Sequence, residues 1–490
     1  MWKSSGLSKQ QQVVGIIIVI MAETKKLHIA FFPWLAFGHI IPHLEVALQI
    51  AQKGHKISFI STPRNIQRMP KIPTNLQPNI NLVSLTLPQT ENLPNHAEST
   101  MDLCSNEVPF LKIAYDSLQD PLTRFLKTSN PDWIVYDFAP YWLPSVAANL
   151  GIAGAFFSVY GSWTVTFLGS SSSSIINGDD QRTKAEDFTV PPKWIPFPSK
   201  VAFRLHEAKK SIDAHVHLTS TSDVSDMFRF GSVMSGCDVI AIRDCMELAG
   251  EFITLLSELH RKPVFPVGLL PPSAQDGGED DTDTWFKIKT WLDKQNKGSV
   301  VYIAFGSESE PSRDEFKELA LGLELSNLPF FWILRKQEND VAALLPAGYE
   351  ERVKDQGVVW KSWAPQRKIL AHDSVGGFLT HCGYSSIVEA LYFERPLIML
   401  TLSIDQGLIA RVFAEKGVGV EIDRDDENGW FSKESVAESA KLVTVDEEGM
   451  VYRNNAKEMK KLVLDKEIHD RYIEDFVKFL VNYGLGRKHS

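Results

Sequence analysis

The sequence has few cysteines and no excess of positive charge. Its four cysteines, among 490 residues, form no C-x-x-C pair, so the pattern indicates neither a disulfide-rich scaffold nor a cysteine zinc site. Lysine and arginine number 51 against 61 aspartates and glutamates, a net charge of −10, whereas nucleic acids and anionic membranes attract proteins with a basic face. We therefore expect a protein of the reducing cytoplasm that does not bind nucleic acid.

Long apolar runs are also absent. No stretch approaches the roughly 18 consecutive apolar residues of a membrane-spanning helix. Val13–Ile20 is apolar and follows Lys3 and Lys9, as in a signal peptide, but Met21 opens a charged segment that leads straight into a predicted strand. We interpret residues 1–20 as an extension or an alternative start, and we expect no stable insertion into a membrane.

Familiar cofactor and catalytic motifs are missing or out of context. No G-x-G-x-x-G fingerprint supports a nicotinamide cofactor, and no G-x-S-x-G elbow supports a serine hydrolase. Asp281 and Asp283 form a D-x-D pattern, which binds metal in another fold, but they lie in an acidic stretch of the kind that is usually solvated. We expect neither a cofactor nor a metal.

Short apolar segments alternate with helical patterns along the chain. Hydrophobic residues make up 44% and charged residues 23%, which is typical of a globular protein, and the length favours two or three domains. The alternation predicts an α/β fold with parallel sheets. We predict two Rossmann-like, doubly wound domains that face a cleft, where ligands bind beside the carboxyl ends of the strands.

A segment rich in proline, glycine and acidic residues separates the two predicted domains. We assign residues 21–268 to an N-terminal domain, 269–284 to an acidic linker and 285–466 to a C-terminal domain. Residues 467–490 are amphipathic, which predicts a helix that packs back on the N-terminal domain. The first helix of the chain is predicted over His43–Gln52.

His39 and Asp137 each follow a predicted strand of the first domain. Imidazole accepts a proton from a hydroxyl near neutral pH, and a carboxylate holds such a histidine in the right tautomer. Both residues lie at carboxyl ends of strands in one sheet, which favours their pairing. Two simpler interpretations stay open: His39 caps or packs against the helix, and Asp137 caps the helix that follows it. We interpret His43 as structural.

The stretch Trp363–Gln406 contains a second group of polar residues. His381 and Gly383 join a predicted strand to a helix, and Ser385 and Ser386 lie at the N-terminus of that helix. Free backbone N–H groups and the positive end of the helix dipole make this a site for a pyrophosphate.

Other residues of the stretch suit the remainder of a nucleotide sugar. Trp363 offers a flat ring on which a base stacks, and Asp405 and Gln406 follow the next strand, within reach of a sugar. Glu389 lies within one helical turn of Ser386. It either reaches ribose hydroxyls or forms a capping box with Ser386, and the spacing alone does not separate the two.

This stretch resembles the signature box of plant UDP-dependent glycosyltransferases. The shared motifs are W-A-P-Q, L-x-H, F-x-T-H-C-G, S-x-x-E, P and D-Q, all in register. Gly38-His39, Asp137 and Phe305-Gly306-Ser307 resemble further elements of that family, and the resemblance covers residues 21–490. It implies the two-domain GT-B fold. The first half, with FPWLAFGHIIPHLEVA and STPRNIQRMP, is most similar to the branch that adds a sugar to the sugar of triterpenoid, steroidal, diterpenoid or flavonoid glycosides.

The resemblance implies a role for each matched position. His39 would be the catalytic base and Asp137 its partner. Trp363 would stack on uracil, and the Ala364 backbone would hydrogen-bond it. The ribose would be held by Gln366 and Glu389, the phosphates by His381, Gly383, Ser386 and Ser307, and the hydroxyls of the transferred sugar by Asp405 and Gln406.

The sequence departs from the family pattern at three positions. Tyr384 and Ser385 stand where the family usually has tryptophan and asparagine, and the Ser385 hydroxyl would partly replace the missing amide at the phosphates. Glu394 stands where glycine is usual. Gln406 is usually taken to favour UDP-glucose, although users of UDP-rhamnose and UDP-xylose in this branch share much of the box.

We therefore expect a monomeric, inverting, metal-independent enzyme that transfers glucose, rhamnose or xylose from UDP to a small-molecule glycoside. A triterpenoid saponin or flavonoid glycoside of plant specialised metabolism is the expected acceptor. A nucleotide-sugar epimerase and a non-catalytic UDP-sugar binder on the same fold remain as alternatives. Five aromatic residues either line the acceptor cleft or pack in the core: Trp34, Phe37, Tyr141, Trp142 and Trp163.

Overall fold

The computed structural model of the protein describes residues 25–170, 182–215, 224–271, 282–306, 311–334, 341 and 343–486. Predicted features outside these ranges are the extension 1–20, residues 272–281 of the acidic linker with Asp281 of the D-x-D pattern, Ser307 of the predicted phosphate site and the last residues, 487–490, of the predicted C-terminal helix.

The first domain is built on a sheet of seven parallel strands in the order β3-β2-β1-β4-β5-β6-β7. Its strands are apolar and largely buried at the centre, as expected for a parallel sheet that is covered by helices on both faces. The strands are β1 His28–Phe32, β2 Lys56–Ser61, β3 Ile80–Ser84, β4 Trp133–Tyr136, β5 Ala153–Ser158, β6 Val239–Ile242 and β7 Val264–Pro266. The helices are α1 Phe37–Gln52, α2 Pro63–Arg68, α3 Val108–Asp116, α4 Gln119–Ser129, α5 Leu143–Asn149, α6 Ser162–Leu168, α7 Leu205–His215, α8 Asp226–Gly236 and α9 Met246–His260.

The second domain is built on a sheet of six parallel strands in the order β10-β9-β8-β11-β12-β13. The strands are β8 Val300–Ala304, β9 Phe330–Ile333, β10 Gly357–Trp360, β11 Val375–Thr380, β12 Leu397–Met399 and β13 Gly419–Glu421. The helices are α10 Thr282–Leu292, α11 Arg313–Ser326, α12 Tyr349–Arg352, α13 Gln366–Ala371, α14 Tyr384–Tyr392, α15 Gln406–Glu415, α16 Lys433–Thr444, α17 Met450–Val463 and α18 Lys466–Gly486. The two doubly wound domains of the predicted α/β fold are therefore confirmed.

Each sheet has one point where the strand order reverses. In the first sheet this point lies between β1 and β4, whose ends are aligned because Phe32 pairs with Tyr136. In the second it lies between β8 and β11, where Ala304 pairs with Thr380. Chains that leave neighbouring strands in opposite directions open a crevice, and this is where open α/β sheets bind ligands.

Several predicted boundaries shift. Helix α1 begins at Phe37, six residues before the predicted start at His43, so His39 lies inside its first turn. Gly38 and Pro42 disfavour a helix by propensity, but burial of Ile40 and the residues that follow against the sheet overrides that preference. Helix α10 begins at Thr282, so the last residues predicted as linker are helical.

The last helix packs against the first domain. Ile473, Phe476 and Leu480 of α18 are fully buried in the same cluster as residues of β1, α1 and β4. The indole nitrogen of Trp133 in β4 donates a hydrogen bond of 3.1 Å to the Leu480 carbonyl. The chain therefore crosses back from the second domain and completes the core of the first. Among the described residues, none of the helices is both long and apolar enough to cross a membrane.

Truncation of Phe476 to alanine tests this packing. Because the ring is fully buried, Phe476→Ala should lower the free energy of unfolding by about 3–5 kcal/mol, through lost apolar burial and the cavity that remains. Phe286→Ala is the matched control, since that ring is 71% exposed, and it should change stability by less than about 0.5 kcal/mol. Urea unfolding of both variants measures the difference, and equal losses would show that α18 does not contribute to the core.

Three buried histidines stay neutral in the folded protein. Burial lowers the pKa of His43, His260 and His381 to about 4 each. Between that value and the ordinary pKa of 6.5 the unfolded chain binds protons at these positions that the folded chain does not. The folded state therefore loses stability as the pH falls through this range. Asp244 has the opposite effect on stability. Its burial raises its carboxyl pKa to about 6, so as the pH falls the folded chain binds a proton there before the unfolded chain does, and the folded state gains stability.

His260 provides a direct test, since neither ring nitrogen has a hydrogen-bond partner among the described residues. Replacing it with leucine should reduce the pH dependence of unfolding by roughly 1.4 kcal/mol per pH unit between pH 6 and 4.5. His96→Gln is the control, because His96 is exposed, and it should leave the slope unchanged. Urea unfolding across this pH range gives the slopes, and a His260→Leu slope equal to that of the unmutated protein would contradict the assignment.

Candidate active site

His39 and Asp137 meet at the point where the strand order of the first sheet reverses. His39 lies in the first turn of α1, which follows β1, and Asp137 comes directly after β4. The His39 Nδ1 atom lies 2.8 Å from Asp137 Oδ2, and the two side chains are 12% and 1% exposed. The sheet thus joins two residues that are far apart in the sequence.

Asp137 is held in place from three directions. Besides His39, it accepts hydrogen bonds from the backbone N–H groups of Trp34, at 3.2 Å, and Phe138, at 2.7 Å. Burial raises the pKa of the Asp137 carboxyl, but His39, His43 and the backbone donor together outweigh it and hold the pKa below its usual value. The carboxylate is therefore ionised, and His39 donates its Nδ1–H to it.

Neither residue of this pair caps a helix end. The next helix after Asp137 begins only at Leu143, so Asp137 does not cap it. His39 is bonded through its side chain to the carboxylate rather than to a helix end. His43 is fully buried, and its Nδ1 bonds the His39 carbonyl at 2.9 Å, which fits the structural interpretation.

Two aromatic rings pack beside His39. Its ring centroid lies 5.7 Å from Phe138 and 5.5 Å from Tyr160. Neither residue was predicted from the sequence, because both lie on loops, after β4 and β5, and carry no motif. Of the five aromatic residues predicted to line the cleft or the core, Trp34, Trp142 and Trp163 are buried and belong to the core, and Phe37 and Tyr141 are half-buried.

The second group of residues lies where the strand order of the second sheet reverses. His381 follows β11, and its ring packs between Gly306, which follows β8, and Gly383, which precedes α14. A Cβ atom at Gly306 would lie 2.9 Å from the ring, and one at Gly383 would lie 2.6 Å from it. Gly306 also has a φ of +71°, which favours glycine. The two glycines let the imidazole approach the backbone closely at the N-terminus of α14. Ser386, in the first turn of that helix, is half-buried.

Gln366 and Glu389 form a polar pair beside this helix. Gln366 Nε2 donates to Glu389 Oε2 at 2.7 Å, and the Tyr302 hydroxyl donates to Gln366 Oε1 at 3.3 Å. Helix α14 begins at Tyr384 with Gly383 at its N-cap, so the capping box between Ser386 and Glu389 is not formed. Trp363 is 54% exposed, which leaves a flat ring open to solvent, and Ala364 beside it is half-buried.

Asp405 and Gln406 start α15 at the same edge of the second sheet. Gln406 is buried, and its Oε1 accepts hydrogen bonds from the backbone N–H groups of Leu402 and Ser403, at 2.8 and 3.0 Å. Asp405 Oδ2 accepts one from the Thr164 hydroxyl at 3.4 Å. Because Thr164 belongs to α6 of the first domain, the two domains are in contact at this point.

The three departures from the family pattern have different surroundings. Ser385 accepts a hydrogen bond of 2.7 Å from Arg243, which follows β6 and lies in no motif recognised in the sequence. Tyr384 is buried against Trp163 at 5.3 Å between ring centroids. Glu394 lies beyond the far end of α14 with a φ of +61°, a conformation that explains the usual glycine, and it pairs with Lys460 at 2.7 Å.

The two groups of residues suit complementary steps of one reaction. A carboxylate-paired histidine in an aromatic surrounding can remove a proton from a hydroxyl. A glycine-flanked helix N-terminus, with a neutral histidine and two serines, can hold an anionic group. The stacking surface and the polar pair beside it match a base and a ribose.

Comparisons with known proteins identify the family of the chain. The family model described as UDP-glucoronosyl and UDP-glucosyl transferase matches residues 255–483. UDP-glycosyltransferase 91A1 of Arabidopsis thaliana is 49% identical over 93% of this chain and 97% of its own length. Soyasaponin III rhamnosyltransferase of Glycine max is 43% identical over 94% of this chain and 97% of its own length.

Solved structures show the same fold. The structure of Glycyrrhiza uralensis UGT73P12, complexed with glycyrrhetinic acid 3-O-monoglucuronide, matches 95% of this chain and 98% of its own with a TM-score of 0.75 at 20% identity. The sequence relatives establish more than the fold, because they align over nearly their whole length. The chain belongs to the plant UDP-dependent glycosyltransferases, and it is a UDP-glycosyltransferase with the two-domain GT-B fold.

Proposed function

We propose that this UDP-glycosyltransferase transfers a sugar from UDP to a hydroxyl of a small-molecule glycoside, with inversion at the anomeric carbon. The observation that supports this most is the 2.8 Å hydrogen bond between His39 and Asp137 at the edge of the first sheet. With Nδ1–H donated to the carboxylate, Nε2 carries the lone pair that accepts the proton of the acceptor hydroxyl.

The proposed reaction is a single displacement. As His39 takes the proton, the acceptor oxygen attacks the anomeric carbon from the face opposite UDP. The bond between that carbon and the diphosphate oxygen breaks, and its electron pair leaves with UDP. Asp137 stabilises the imidazolium that forms, because its carboxylate is already ionised and bonded to Nδ1. One in-line displacement inverts the configuration.

The UDP-sugar is proposed to lie along the second domain. Trp363 stacks on the uracil while the Ala364 backbone hydrogen-bonds it, and the Gln366–Glu389 pair holds the ribose. The N-terminus of α14, with His381, Gly383, Ser385 and Ser386, binds the diphosphate together with Ser307. His381 acts as a neutral hydrogen-bonding group, since burial lowers its pKa to about 4.

Asp405 and Gln406 are proposed to hold the transferred sugar. The Gln406 amide oxygen accepts hydrogen bonds from two backbone N–H groups, so in this proposal the side chain contacts the sugar through its amide nitrogen. We propose glucose, or else rhamnose or xylose, as the sugar. The reaction requires no metal or cofactor in this proposal, because the helix end and the polar side chains supply the stabilisation of the diphosphate.

The acceptor is proposed to be a triterpenoid saponin or a flavonoid glycoside. The rings of Phe138 and Tyr160 around His39 suit a largely apolar molecule. Two comparisons support the glycoside class, since the Glycine max relative is named as a soyasaponin III rhamnosyltransferase and the Glycyrrhiza uralensis protein was solved with glycyrrhetinic acid 3-O-monoglucuronide.

Substitution of the catalytic pair tests the mechanism. His39→Ala and Asp137→Asn should each lower kcat by about 10²- to 10⁴-fold, because the proton acceptor or its correct tautomer is lost. The double variant should lose little more than either single variant, since the two residues act as a unit. Steady-state kinetics and UDP titration by calorimetry measure both effects, and the Kd for UDP should stay within about threefold of its original value.

His28→Asn is the control for these variants. His28 lies on the same sheet but bonds Ser58 through Nε2, at 2.8 Å, instead of a buried carboxylate. Its replacement should leave kcat unchanged. Transfer by His39→Ala at a rate close to that of the original enzyme would show that His39 is not the base.

The identity of the donor sugar and of the acceptor class is tested with a panel of substrate pairs. The purified protein is incubated with UDP-glucose, UDP-rhamnose, UDP-xylose or UDP-galactose, each with triterpenoid and flavonoid monoglycosides and with their aglycones. Mass spectrometry should show the gain of one sugar on a glycoside and none on the aglycone. Conversion of the UDP-sugar alone would favour an epimerase, and UDP binding without any product would favour a non-catalytic binder.

A further inference from the structure

Two positions at which this chain departs from its family contact the same arginine. The Arg243 guanidinium donates through Nη1 to Ser385 Oγ at 2.7 Å, and it lies 5.1 Å from the ring centroid of Tyr384. Arg243 follows β6 of the first domain, whereas Tyr384 and Ser385 open α14 of the second. The contact therefore joins the first domain to the helix N-terminus that faces the proposed diphosphate site.

Two backbone carbonyls, at the point where the chain leaves the first domain, hold the Arg243 side chain in place. Its Nε donates to the Leu269 carbonyl at 3.0 Å, and Nη2 donates to the Leu270 carbonyl at 3.5 Å. A guanidinium has a planar fork of donors, so these bonds set the direction in which the third donor points, toward Ser385. A lysine in this place has one nitrogen and reaches only part of this set.

The positive charge of Arg243 is buried, and no described carboxylate lies close enough to be its counter-ion. The residue is 3% exposed, and among the described residues no carboxylate forms an ion pair with it. Burial lowers the pKa of Arg243, while Tyr384 and the more distant acids Glu389 and Glu45 act against that lowering. A buried cation is costly unless an anion compensates it. The N-terminus of α14, which is the positive end of the helix dipole, adds to the positive electrostatic potential around Arg243.

We propose that Arg243 is a positioning residue for the diphosphate of the UDP-sugar, and that it acts through Ser385. The Ser385 oxygen accepts from Arg243, so its hydroxyl hydrogen is directed away from the guanidinium and donates to the diphosphate. The charged donor polarises this hydroxyl and strengthens the bond that it makes. Together, Arg243 and Ser385 replace the asparagine amide that the family usually places here. This inference rests on the proposed function of the site.

A double-mutant cycle tests the proposal. Ser385→Ala removes only a hydroxyl and should weaken UDP binding by about 10- to 100-fold, the effect of losing a hydrogen bond to a charged group. Arg243→Met should weaken it to a similar extent. Because the arginine acts through the serine, the double variant should bind UDP no more than about threefold more weakly than the weaker single variant. Losses that multiply in the double variant, or a Kd that does not change in Ser385→Ala, would overturn the proposal.

Conservative variants separate positioning from packing. Ser385→Asn restores the amide and should bind UDP within about threefold of the original protein, because the amide accepts from Arg243 and donates to the phosphate. Arg243→Lys should regain part of the loss seen in Arg243→Met. An asparagine variant that binds as weakly as the alanine variant would contradict the inferred relay. The defect should appear in kcat as well as in KM for the UDP-sugar, since the same diphosphate departs in the reaction.

Arg395→Lys is the matched control for the loss of a guanidinium. Arg395 donates to the carbonyls of Leu370, His372 and Val375 at the amino end of β11, away from the cleft. Its replacement should lower the melting temperature without changing the Kd for UDP. All variants are compared with the unmutated protein, whose UDP binding and product formation are measured first. If that protein neither binds UDP nor forms a product, the proposed function fails; if it does both and the variants bind UDP equally well, only the role of Arg243 fails.

Discussion

The reversal of strand order in each parallel sheet determines where the chemistry of this protein is located. Between β1 and β4 the reversal brings His39 and Asp137 within hydrogen-bond distance, and between β8 and β11 it brings Gly306 against His381. In both sheets the chain leaves neighbouring strands in opposite directions, so a crevice opens at their carboxyl ends. One crevice holds the carboxylate-paired histidine and the other presents a helix N-terminus. The proposed reaction needs both.

Buried polar contacts fix how the two domains meet. Glu207 of α7 accepts from the Thr401 hydroxyl at 2.6 Å and from Arg411 at 2.8 Å, so an acid of the first domain lies among donors of the second. Arg243 makes a second buried polar contact between the domains, to the neutral Ser385 hydroxyl of α14. A buried charged pair such as Glu207–Arg411 often adds little net stability, but it tolerates few alternative arrangements because a broken pair leaves a charge buried alone. The cleft therefore has a defined geometry on both sides.

Tertiary packing settled points that local rules had left open or had predicted wrongly. The first helix was predicted from His43, yet the buried face of α1 extends it back to Phe37, across Gly38 and Pro42. The spacing of Ser386 and Glu389 suited a capping box, but Gln366 from another helix binds that carboxylate. Trp163 was a candidate for the acceptor cleft, and it is instead buried against Tyr384 at the domain interface. In each case the competing partner is distant in the sequence.

By itself the sequence determined the alternation of strands and helices, the two-domain fold and the family, because apolar periodicity and dense motifs are local signals. It also indicated the proposed catalytic and donor-binding residues, since these follow strands in recognisable patterns. The pairing of His39 with Asp137 was also expected, and the structure supplies its geometry. Only the tertiary structure decided which aromatic rings lie beside His39, those of Phe138 and Tyr160, and which side chain bonds Ser385, that of Arg243. Such pairs depend on the order of strands in the sheets and on the docking of the domains. The strand order and the docking of the domains cannot be inferred from a motif at either residue, because both depend on burial summed over the whole chain.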